Sequence, residues 1–85
     1  MVSRKDREKQ SWLEAVGKAI RGFRSELDLS QEKLGDLAGL HRTYVSDVER
    51  GRRNPTAWTL LALASTLKKK PSDIFREAER ILERS

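Results

Sequence analysis

From Trp12 onward, apolar residues return at steps of four, four, three and four, through Val16, Ile20, Phe23 and Leu27. That spacing follows one face of an α-helix and predicts a first helix over 11–27. Ser30 then offers a hydroxyl to an orphan amide, and Leu29 and Leu34 flank it as a hydrophobic staple, so a second helix starts at Gln31. It ends near Ala38, because Gly39 can take the positive φ of a helix C-terminus. The staple recurs with Leu40 and Val45 around His41, a weaker cap than serine, and predicts a third helix to about Arg50, with Gly51 ending it. Thr56 caps a fourth helix carrying Leu60, Leu61, Leu63, Ala64 and Leu67. Lys68, Lys69 and Lys70 suit its negative end, and Pro71 opens a last helix through Ile74, Phe75, Ala78, Ile81 and Leu82 to the C-terminus. No segment alternates as a strand does, so the fold class is all-α with five helices.

The second and third helices are barely two turns each and are joined only by Gly39-Leu40-His41, too tightly for a long antiparallel hairpin. They read instead as an angled helix-turn-helix pair. Gly35 and Ala38 supply the small residues of a close crossing, and Leu34, Leu37, Leu40, Val45 and Val48 are expected to face the core. On the third helix Tyr44, Val45 and Val48 share one direction, Thr43, Ser46 and Arg50 take the opposite one, and Arg42 and Asp47 flank them. A helix with small hydroxyls and arginines outward can approach base edges in a major groove, since nothing bulky and apolar blocks it.

Composition narrows the partners. Eighty-five residues suffice for one core, read as a charged tail over 1–10 and one domain over 11–85. The tail reading is preferred to a helical extension of the first helix or an arm that touches DNA. There is no cysteine, and the single histidine, His41, has no partners at ligand spacing, so neither disulfide nor metal site is expected and no cofactor is implied. Eighteen basic against 13 acidic residues leave a net charge of +5, which favours a polyanion. No apolar run of ~20 residues or signal-like start is seen, so a soluble, cytoplasmic protein with no membrane partner is expected. No nucleophile-base pair or phosphate-binding glycine loop is present, which argues against an enzyme or a small-molecule substrate.

The run SQEKLGDLAGLHRTYVSDVERGRRNP resembles the core motif of the XRE, or Cro and phage-repressor, helix-turn-helix family, over about residues 17–75. Within it, LHRTYVSDVERGRRN is most similar to the controller proteins of restriction-modification systems. The resemblance implies a lambda-repressor-like domain that binds double-stranded DNA and regulates transcription. It places base reading on Arg42, Thr43, Ser46 and Asp47, with Arg42 leading, and a phosphate contact on Gln31 at a helix N-terminus. Asp47 either accepts from cytosine or orients Arg42 or Arg50. Tyr44, Arg50, Arg52, Arg53 and Asn54 are expected at phosphates, Tyr44 also packing inward. The family pairs Glu49 with a first-helix arginine, here Arg24, as a structural ion pair.

Family members bind two half-sites as symmetric dimers, which implies a homodimer here, its surface expected at Leu60, Leu63, Ile81 and Leu82. Trp58 is left between interface and core. His41, Gly35 and Asp28 depart from the family's usual cap residue, alanine and glycine. A phage-type repressor is the alternative regulator, and an antitoxin or adaptor using the fold for protein interaction is the alternative outside DNA binding.

Overall fold

The computed structural model describes residues 3–84 and contains five helices: α1 (Arg4–Glu26), α2 (Gln31–Ala38), α3 (Arg42–Glu49), α4 (Ala57–Thr66) and α5 (Pro71–Arg84). Met1 and Val2 of the expected tail, and Ser85 of the expected domain, lie outside the described residues.

Each helix after the first begins where its cap predicts. Ser30 Oγ accepts from the Lys33 amide at 2.9 Å, and Thr56 Oγ1 from the Thr59 amide at 3.1 Å. His41 also caps, its Nδ1 accepting from the Thr43 amide at 3.1 Å, so an imidazole takes the place of the usual oxygen. Gly39 and Gly51 take φ of 75° and 74°, the left-handed conformation that turns the chain out of α2 and past the end of α3. Asp28, standing where glycine is usual, adopts φ 55°. A non-glycine residue in that region carries strain.

The first helix starts earlier than its apolar spacing predicts. Residues 4–10 are helical because Ser3 caps them, its hydroxyl accepting from the Asp6 amide at 3.1 Å, and because Gln10 is anchored further on. Apolar periodicity carries no signal there, since RKDREKQ is polar on every side. With 23 residues, α1 accounts for most of the 38 Å long dimension.

α1 lies along α5 and crosses α3, with α2 and α4 closing the core. Ile20, Leu34, Val45, Val48, Leu63, Leu67 and Ile74 are fully buried at its centre. The crossing of α1 over α3 depends on Gly17: a Cβ there would sit 2.4 Å from the carbonyl oxygens of both Val48 and Glu49. α3 is thereby held by its valines with its other side turned outward.

Three expectations about apolar residues change. Leu63 is 0% exposed, part of the protomer's own core and out of reach of a partner. Leu60, Ile81 and Leu82 are half-buried against that core, the last two beside Ser11, Ala15 and Lys18 of α1. Leu37, expected inside, is 56% exposed, because the short α2 ends over the rim of a groove instead of beneath another helix. Trp58 is 77% exposed, which removes it from the core. No helix among the described residues is long and apolar enough to cross a membrane.

Candidate nucleic-acid interface

The outer side of α3 is built by subtraction. Val45 and Val48 point into the core, so at 100° per residue Arg42, Thr43, Ser46 and Arg50 are turned away from it. Arg42, Thr43 and Arg50 are exposed and Ser46 is half-buried. The only partner printed for Arg42 is Glu32 of α2 at 3.9 Å, both side chains 68% exposed, a pair worth little in water and easily exchanged for a base edge.

Asp47 does not turn to Arg42 or Arg50. Its carboxylate meets Arg53 Nε at 3.6 Å, and the Arg53 guanidinium lies 5.4 Å from the centroid of the Tyr44 ring. The chain makes this possible by reversing at Gly51, where the Arg52 amide donates to the Asp47 carbonyl at 2.8 Å. Tyr44, Asp47 and Arg53 thus form one unit at the C-terminal end of α3, with Arg52 and Asn54 exposed beside it.

Beneath this surface Glu49 is buried, its side chain 2% exposed. Arg24 Nε donates to Oε2 at 2.6 Å and Nη2 to Oε1 at 3.0 Å, a two-pronged pair, while Nη1 donates to the Leu29 carbonyl at 2.8 Å. The Glu49 hydrogen bonds raise the Arg24 guanidinium further above its ordinary range, against the opposing effect of burial. Gln31 joins them, Nε2 donating to Glu49 Oε1 at 3.0 Å. One amide hydrogen of Gln31 is therefore committed inward, and the other remains for an anion at the N-terminus of α2. The network ties three helices together directly behind the outward face.

Two features had no sequence signal. Gln10 Nε2 donates to the Gly51 carbonyl at 3.0 Å and to Glu14 Oε2 at 3.1 Å, linking the start of α1 to the loop after α3. Leu37, Trp58, Leu61, Ala62 and Pro71 line a groove of about 720 Å³ closed at one end by Lys69 and Lys70. No group of acidic or histidine side chains suited to a metal ion occurs among the described residues.

A sequence profile of the helix-turn-helix family matches residues 18–74. The chain belongs to the XRE-type helix-turn-helix family. It is 46% identical over 54 residues to the control protein C.SmaI of Serratia marcescens, covering 64% of each chain. It is 41% identical over 68 residues to the immunity repressor protein of Bacillus phage phi105, covering 80% of this chain and 47% of that one. The chain thus spans less than two thirds of the length of these two relatives. Among solved structures it is similar to the restriction-modification controller protein C.AhdI of Aeromonas hydrophila, with a TM-score of 0.73 and 43% identity over 74% of this chain and 96% of that one.

Proposed function

We propose that this protein is a sequence-specific, double-stranded-DNA-binding transcription regulator that acts as a homodimer, of the restriction-modification controller kind. The observation that carries the proposal is the division of α3 into a buried valine side and an outward polar side, backed by the Arg24–Glu49–Gln31 network. Such a helix enters the major groove as a rigid unit. Arg42 reads a guanine through two hydrogen bonds, with Thr43 and Ser46 beside it. Asp47 serves the same surface by holding Arg53. Gln31 with the α2 N-terminus, and Tyr44, Arg50, Arg52, Arg53 and Asn54 past α3, meet phosphates on either side of the groove.

One such helix reads too few bases for useful specificity, which calls for a second copy. The face that supports self-association is the one carrying Trp58, Leu61 and Leu37, in place of the expected Leu60, Leu63, Ile81 and Leu82. Exposed apolar side chains of this size, contiguous along one groove, are costly on a small monomer and suit a symmetric contact.

Likeness to the phi105 immunity repressor keeps a phage-type repressor as a second reading. An antitoxin or adaptor is disfavoured because its partner would have to mask a surface whose exposed cations suit a polyanion. Selection from random duplexes tests the proposal. Enrichment of a two-fold symmetric site with half-site centres about 34–36 Å apart is expected. Absence of any enriched sequence contradicts it.

A further inference from the structure

The first two turns of α1 need a reason to exist. Residues 4–10 contain four basic and two acidic side chains and no apolar one, so no burial offsets the entropy of ordering them. Their order comes from the Ser3 cap and from the bonds of Gln10 to Glu14 and to the Gly51 carbonyl. Glu14 lies directly against Gly51, where a Cβ would come within 2.7 Å of its Cγ. The helix start is thus fastened to the residue that precedes Arg52 and Arg53. Arg4 lies about 9 Å along the helix axis from Gln10, at the rise of an α-helix. That is close to one Debye length at physiological salt, so the two groups of cations act on the same stretch of polyanion. Arg4, Lys5 and Lys9 are all exposed.

We propose that the basic start of α1 is a further DNA-backbone-contacting element, in which Arg4, Lys5 and Lys9 engage phosphates next to those met by Arg52 and Arg53. This rests on the reading of α3 as a groove-binding helix. The contact carries no sequence information and adds to affinity and to its salt dependence. Asp6 and Glu8 face the same solvent and limit the number of phosphates engaged.

The test compares binding of the full chain to a mixed-sequence duplex of roughly 25 base pairs, long enough for two half-sites, across a salt series. The triple variant Arg4→Ala/Lys5→Ala/Lys9→Ala keeps good helix formers at exposed positions. A second variant, Arg76→Ala/Arg80→Ala/Arg84→Ala, removes the same charge from α5. The α1 variant is expected to reduce the log-log salt slope by about 2 for a dimer, one contact of about 0.9 per protomer, with the α5 variant at the parent slope. An α1 variant with the parent slope overturns the inference while leaving the α3 reading intact, as do equal losses in both variants, which would reflect net charge alone. A parent chain that binds no duplex overturns both.

Discussion

Replacing Glu49 with alanine tests whether the network behind α3 holds the fold. Glu49 is 2% exposed and accepts from Arg24 twice and from Gln31 once. The substitution removes all three acceptor contacts and leaves the Arg24 guanidinium, itself only 14% exposed, with the Leu29 carbonyl as its one printed partner. Stranding a buried charge in this way costs about 3–5 kcal/mol. A chain of this size has roughly 4–13 kcal/mol of total stability, so the loss is a large share of it. In a thermal melt followed by circular dichroism, Tm should fall by at least about 12 °C, at about 4–8 °C per kcal/mol. The double variant Arg24→Met/Glu49→Leu should lose clearly less than the sum of its single changes, because neither charge is then stranded. Because the folded-state Arg24 pKa is raised, the pair's contribution is fully present below the unfolded-state pKa and is lost only as pH climbs through the folded one. The Glu49→Ala deficit should thus be the same at pH 6 and pH 8, about where such melts are run. A Glu49→Ala protein melting within about 1 kcal/mol of the parent would refute the reasoning, since that is the size of an exposed pair.

Gly17→Ala drives a Cβ into the Val48 and Glu49 carbonyls; urea unfolding should show a loss of about 1–3 kcal/mol despite the better helix propensity of alanine. His41→Ala should cost about 0.5–2 kcal/mol by leaving the Thr43 amide uncapped, whereas His41→Asn should retain the parent's stability in the same assay. Trp58→Ser, at a side chain 77% exposed, should shift sedimentation from dimer toward monomer without lowering the monomer's melt; an unchanged dimer would place the self-contact elsewhere.

The helices and their caps were legible because each cap is a local event. Ser30, Thr56, Gly39 and Gly51 act on amides and turns within a few residues of themselves. The outward face of α3 was legible too, since its valines and hydroxyls separate cleanly at 100° per residue. The side of α4 that faces inward was not. Between Ala57 and Ala64 its one polar residue, Thr59, does not mark which leucines point out, so Leu63 was expected at a surface and Leu61 was not. Leu37 followed the helical pattern correctly, but nothing in the pattern says that α2 ends at the edge of a groove. The helical start of α1 escaped because it is set by Ser3 and by a side chain reaching 41 positions along the chain, from Gln10 to Gly51. The pairing of Arg24 with Glu49 was expected from the family resemblance, not from periodicity, while the pairing of Asp47 with Arg53 depends on how the chain reverses at Gly51.

The account's central claim is that the outward side of α3 reads bases, and the measurement that meets it most directly is base discrimination by Arg42→Ala. On the sequence selected by the parent protein and on single-base variants of it, the substitution should abolish preference at one base pair of each half-site. The loss expected there is about 1–3 kcal/mol, with discrimination at the other positions retained. Weakening of all sequences by one common factor would instead make Arg42 a backbone contact and would contradict the claim.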